Sequence, residues 1–229
     1  MHDMGSQVNR RSYDASQRQA ASAQTRQRVM DAARELILEN GYRATKIAAV
    51  AARAGVNADT VYRLVGRKPV LLRELIEQAI SGTDHPVVAE ERDYVKEMKA
   101  EPDPARKLAI YARAVCAIQG RLAPLLMALR DAASTEPEAG RVWQQISQRR
   151  AANMRRLVLD IRAAGGLRPG LTVDQAADTV WALNSSELYL LLTGERDWAP
   201  ARFERWLHDT WCRLLLPPED PGQPATRRR

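Results

Sequence analysis

The stretch VAARAGVNADTVYRLVGRK, Val50–Lys68, restricts what this chain can fold into more than any other. Two short apolar-patterned pieces flank one glycine, with no proline inside and basic residues thickening toward the end. On a helix over about Lys46–Ala54, Val50 and Ala51 point toward whatever packs beneath them, and Ala51 is small where two helix backbones approach closely. Gly55 falls where a sharp turn needs a positive φ, which glycine takes without steric cost. Asn57 is a good N-cap for a second helix over about Asn57–Val65. On it Val61, Leu64 and Val65 share one face at i, i+3, i+4 spacing, and Asn57, Ala58, Thr60, Tyr62 and Arg63 are left on the others. Two helices crossing steeply through a glycine turn form a helix-turn-helix, whose second helix enters the DNA major groove. An ordinary helical hairpin would not need polar and basic residues gathered on its exposed side.

The surrounding sequence predicts more helix and no alternating strand. From about Thr25, Val29, Ala32, Ala33, Leu36 and Ile37 recur at helical spacing, and Asn40-Gly41 supplies a left-handed stop. A further helix is expected from about Lys68 to Ile80. After Pro86, candidates run over about 88–100, 104–119, 122–133, 137–164, 173–193 and 200–215, with only a weak break near Gly120, so that 104–133 also reads as one kinked helix. Residues 1–21 are polar and lack an apolar stripe, and the PPEDPGQPATRRR tail is too proline-rich to pack. No apolar run approaches the roughly 18 residues that span a bilayer, and the N-terminus has no signal-peptide core. Cys116 and Cys212 lie far apart in apolar helical patterns and read as free thiols in a reducing, cytoplasmic setting.

Charge points the same way as the helix pair. Residues 1–80 carry 13 Lys and Arg against 8 Asp and Glu, whereas residues 81–226 carry 19 against 20. A positive first third on a near-neutral body suits a polyanion at one end, although a solvated basic surface has the same composition.

The run GYRATKIAAVAARAGVNADTVYRLVGRKPVLL, Gly41–Leu72, resembles the DNA-binding domain of the tetracycline-repressor (TetR) family of bacterial regulators. The resemblance rests on Gly41, Tyr42, Thr45, Ile47, Val50, Ala51, Ala54, Gly55, Val56, Val61, Tyr62, Lys68 and Leu71 in register. Lys46 stands where the family usually has Ser or Thr, Asn57 where it has Ser, Asp59 where it has Gly and Val65 where it has Phe. These departures bear on the operator more than on the fold. Thr45, Tyr62 and Lys68 are candidate phosphate contacts that fix register. Lys46, Asn57, Ala58, Asp59, Thr60 and Arg63 are the candidate base readers. Asp59 suits the helix dipole or accepts from a cytosine amino group, and Arg63 contacts guanine or stays with phosphate and solvent. Arg10, Arg11 and Arg18 suit a minor-groove arm or a merely disordered one.

The resemblance implies an all-α chain: a flexible arm over 1–21, a three-helix helix-turn-helix domain over 22–66, a connecting helix over 67–82, a ligand-binding and dimerisation bundle over 83–216 and a disordered tail over 217–229. It implies a homodimeric repressor on a palindromic operator in double-stranded DNA, released by a small-molecule effector. The last two long helices would form the dimer interface, with Val180, Trp181, Leu188, Trp206 and Trp211 as candidates. The middle helices would enclose the effector, with Tyr111, Cys116, Met127, Trp143 and Met154 as candidate lining. Arg149, Arg150, Arg155 and Arg156 crowd one helix and suit an anionic ligand or a solvated face. No buried acid or base stands out at helical spacing, which favours a neutral or apolar effector. The other readings are an activator or corepressor-dependent regulator on the same fold, and an oligomeric scaffold that has lost DNA binding. His2, His85 and His208 are scattered, and no catalytic, metal or cofactor motif occurs, so no enzyme is expected.

Overall fold

The computed structural model describes residues 5–218, and among these no strand occurs. Ten α-helices follow in order: α1 (Gly5–Ala44), α2 (Ile47–Ala54), α3 (Ala58–Val65), α4 (Lys68–Ser81), α5 (Asp93–Ala100), α6 (Pro104–Ala133), α7 (Pro137–Ala163), α8 (Val173–Leu183), α9 (Ser186–Leu190) and α10 (Pro200–Leu215). A 3-10 turn at Ala89–Glu91 precedes α5, and a π-helical turn at Leu191–Glu195 follows α9.

α1 is interrupted where the sequence asks for a stop, at Gly41 with φ 77°. Its other end departs from expectation. Residues 5–21, read as a mobile arm, extend α1 instead, because nothing in their Ala- and Gln-rich sequence opposes helix once a packed helix adjoins it. Positions 1–4 and 219–229 lie outside the described residues, and so does most of the expected tail.

α6 runs unbroken through Gly120 and Pro124, as the one-helix reading of 104–133 allows. By length and composition it is also apolar enough to cross a membrane, contrary to the sequence reading that split it. Half of its most apolar window is buried inside the bundle, which is how the core helix of an all-α fold passes that test. The expected helix over 173–193 is instead broken at Asn184. Asn184 ends α8, and the Ser185 hydroxyl accepts the Leu188 N–H at 3.1 Å to start α9.

The core divides into two clusters, and the division does not follow the expected domain boundary near residue 82. One cluster joins α1–α4 to the second half of α6 through Leu125, Leu126 and Leu129, and reaches Ile146 on α7. The other joins the first half of α6 to α7, α8 and α10 around Phe203, Leu207 and Trp211. α6 therefore belongs to both.

Candidate nucleic-acid interface and ligand cavity

Gly55 turns the chain from α2 into α3 with φ 67°, ψ 38°, the left-handed conformation expected of it. Asn57 Oδ1 accepts the Thr60 N–H at 2.7 Å and caps α3. Val61 and Val65 are fully buried and Leu64 packs beside them, so Asn57, Asp59, Tyr62 and Arg63 face solvent, with Tyr62 51% exposed. Val65 fills the place of the family's Phe at 3% exposure. Ala58 and Thr60 are half-buried, which narrows the readable face to fewer residues than the sequence suggested. Lys46 is exposed at the N-cap of α2. Thr45 is not on this surface. It is 4% exposed, and its hydroxyl donates to the Gly41 carbonyl at 2.9 Å, because it must close the turn that Gly41 opens.

Lys68 lies half-buried at the start of α4, its Nζ 4.0 Å from the Tyr42 ring centroid and donating to the Arg43 carbonyl at 3.3 Å. Burial lowers its pKa, and the charge is held by neutral groups rather than by an ion pair. Arg43, Lys46, Arg63 and Arg67 have no carboxylate partner among the described residues, whereas Arg53 pairs with Glu39 at 2.8 Å. Sequence reasoning passed over Arg43 and Arg67, although both flank the helix pair.

The body encloses a cavity of about 650 Å³ between α4, α5, α6 and α7. Val115, Ile118, Leu122 and Leu157 give it an apolar wall. At one end lies a buried polar chain. Ser186 Oγ donates to Gln119 Oε1 at 2.8 Å, Gln119 Nε2 donates to Asn184 Oδ1 at 3.1 Å, and Asn184 Nδ2 donates to the Tyr111 hydroxyl at 2.9 Å. Arg150 reaches the same end, and burial lowers its pKa. Burial likewise raises the pKa of Tyr111, whose ring stacks on Trp211 at 5.3 Å. The half-buried Arg150, with Lys107 3% exposed and paired to Asp160 at 2.7 Å, departs from the sequence reading that no buried acid or base stands out in the body. On α7 the other three clustered arginines are exposed, and only a side chain turned inward distinguishes Arg150 from them.

Residues 29–75 match the family model of bacterial regulatory proteins, tetR family. Over these residues the chain carries a TetR-family DNA-binding domain. TetR-family transcriptional regulators bind DNA and are not enzymes. No curated protein is significantly similar to this chain in sequence. Solved structures share the fold. NalD, the secondary repressor of the MexAB-OprM multidrug efflux pump in Pseudomonas aeruginosa, is 23% identical with TM-score 0.65, covering 84% of this chain and 97% of that one. FadR from Bacillus subtilis in complex with stearoyl-CoA is 19% identical with TM-score 0.65, covering 81% and 97%. The SmeT–triclosan complex is 19% identical with TM-score 0.67, covering 90% and 97%.

Of the five expected lining residues two, Tyr111 and Met154, face the cavity. Cys116 instead turns to α10, donating to the Pro200 carbonyl at 3.2 Å, and Trp143 packs against the core that the head shares with α6. Met127 lines a shallow surface depression with Leu188 and Leu191. Bulk and polarisability alone do not tell which side of a middle helix a residue takes. Of the five interface candidates, Val180 and Trp211 are fully buried within the protomer and cannot meet a partner. Trp181, Leu188 and Trp206 remain partly exposed, and Leu191 and Leu214 add exposed apolar surface at 45% and 43%.

Proposed function

We propose that this TetR-family regulator is a homodimeric repressor that holds a palindromic operator and releases it when a small molecule fills the cavity. The observation that carries the reading is the shared membership of α6: its first half lines the cavity and its second half packs against α1 and α4, which position the helix-turn-helix. Solved relatives of the same fold hold small molecules, stearoyl-CoA in one and triclosan in another, which supports a ligand-responsive body. Asn57, Asp59 and Arg63 then read bases, with Lys46 beside them, and Tyr62 and Lys68 meet phosphates. The exposed apolar residues of α8–α10 supply the dimer contact, and the protein acts in the cytoplasm.

The test is selection of random duplexes by the purified chain at about 150 mM salt, where sequence-blind phosphate binding weakens. An enriched palindrome with half-sites about one helical turn, 34–36 Å, apart or a multiple of it supports the dimeric reader. Enrichment of nothing refutes it for the free protein.

A further inference from the structure

Arg150 stands out among the cations that line the cavity. Its guanidinium donates to the carbonyls of Trp181 at 3.1 Å and Asn184 at 2.5 Å and lies over the Trp181 ring, 5.1 Å from its centroid. All of these partners are neutral, and no ion pair forms among the described residues. Its neighbours Arg149 and Arg156 on the same helix meet carboxylates, Arg149 pairing with Glu77 and Arg156 donating to Glu90 at 3.2 Å, while Arg92 donates to the Val87 carbonyl at 3.0 Å. A cation drawn out of water needs an anion or a full set of acceptors to offset its desolvation, and Arg150 has five N–H donors with two carbonyls to serve them.

A second donor converges on the same end. Tyr111, 5% exposed, gives its hydroxyl proton to Met154 Sδ at 3.1 Å, and a thioether is a weak acceptor. Asn184 stands between the two groups, its carbonyl receiving Arg150 and its side-chain amide donating to Tyr111. A neutral ligand would offer them only neutral acceptors of the kind Arg150 already has, whereas an anion would bring the missing charge to both.

Resting on the ligand-responsive reading of the cavity, we infer that the effector is an amphiphilic monocarboxylate, its carboxylate taken by Arg150 and Tyr111 and its apolar body lying along Val115, Ile118, Leu122 and Leu157. The discrimination comes from the charge on the acceptor, because a bond from a guanidinium to a carboxylate is stronger than one to a neutral oxygen.

Calorimetry on the full chain with dodecanoate and with dodecan-1-ol, both below micellar concentration, tests this without DNA. Dodecanoate is expected to bind at least about tenfold more tightly than the alcohol. Arg150→Gln should bring the two affinities to within about threefold of each other, and Tyr111→Phe should weaken dodecanoate several-fold while leaving the alcohol unchanged. If Arg150→Gln does not fold by circular dichroism, the wild-type ratio and Tyr111→Phe decide. Failure of dodecanoate to bind, equal affinity for acid and alcohol, or a ratio that survives Arg150→Gln overturns the inference. Binding that depends on Arg150 but does not release operator DNA leaves the carboxylate site standing and removes the release mechanism instead.

Discussion

Lys68→Ala separates a phosphate contact from a structural clamp. The ammonium lies 4.0 Å from the Tyr42 ring and near the Arg43 carbonyl, so its neighbours position the charge without cancelling it. Each phosphate neutralised on B-DNA contributes a slope of about 0.9 in log K against log salt, and a dimer loses two, so the slope should flatten by about 1.8. Between about 50 and 200 mM salt, the variant should therefore lose about one decade less affinity than the wild type. Stability should fall by only about 0.5–1 kcal/mol, the worth of a cation–π contact at a partly exposed site. The assay is fluorescence anisotropy on a duplex carrying the selected palindrome across a salt series. Arg113→Ala is the control, since it removes an equal charge from the body, where Arg113 pairs with Glu97 at 2.8 Å. Its slope should match the wild type. An unchanged slope in Lys68→Ala, with affinity lowered by one factor at every salt, would refute the phosphate role and leave Lys68 as a brace for the α1–α4 junction.

Other expectations follow from single contacts. Asn57→Ala removes the 2.7 Å cap of α3 and should cost about 1 kcal/mol in urea unfolding, with Asn57→Ser restoring most of it. Two glycines should behave differently. Gly55→Ala meets no atom within 4 Å and should cost only the backbone strain of about 1–2 kcal/mol, with DNA binding kept, whereas a Cβ on Gly166 would lie 2.3 Å from Pro104 Cβ and should lower the melting temperature more. Burial raises the Tyr42 pKa from 10.0 to about 12, so its contribution is fully present below pH 10.0 and is lost as pH rises through about 12. Tyr42→Phe should flatten that alkaline decline in urea midpoints. Arg121→Ala deletes the 3.0 Å bond from α6 to the Ala79 carbonyl at the end of α4. DNA affinity measured with and without saturating ligand should then differ by less than in the wild type, while the ligand-free protein keeps its affinity for DNA and the DNA-free protein its affinity for the ligand.

The head was legible in the sequence because local rules and tertiary demands agree there. Gly55 needs a positive φ, Asn57 needs to cap, and Val61 and Val65 need to be inside, each within a stretch of 19 residues. Thr45 escaped because its partner is the carbonyl of Gly41, a contact set by the turn and not by residue type. The body was legible only as helices. Which face of α6 or α7 meets the cavity depends on partners 30 to 73 residues away, as for Asn184 with Met154 and Tyr111. Arg150 is indistinguishable in sequence from Arg149 beside it, yet one turns toward the carbonyls of Trp181 and Asn184 and the other toward Glu77. The break at 184–186 did carry a local signal, since Asn-Ser-Ser supplies both a stop and an N-cap, but the apolar period on either side outweighed it.

Any effect of a bound ligand on the DNA-reading helix has few routes to travel. α1, α2 and α3 contribute nothing to the cavity lining, while α4 contributes Glu77 and Ile80, and α6 contributes Tyr111, Val115, Ile118, Gln119 and Leu122. Both helices also enter the head's core, α4 through Leu71, Leu72, Leu75 and Ile76, and α6 through Leu125, Leu126 and Leu129. Such a core is close-packed and yields by rigid shifts rather than by local compression, so a ligand that displaces Ile80 or Ile118 must move the far ends of these helices as well. Arg121 ties them together one turn from the cavity, beside Gly82, where a φ of 75° ends α4. A ligand shifts the operator equilibrium only to the extent that it binds the two arrangements of this α4–α6 pair unequally. An effector anchored at Arg150 and reaching Ile80 would span from α7 to α4, whereas one confined to the polar end would touch α6 and α7 alone and leave α4 where it is. For the proposed release, the length of the apolar body therefore matters as much as the charge of the head group.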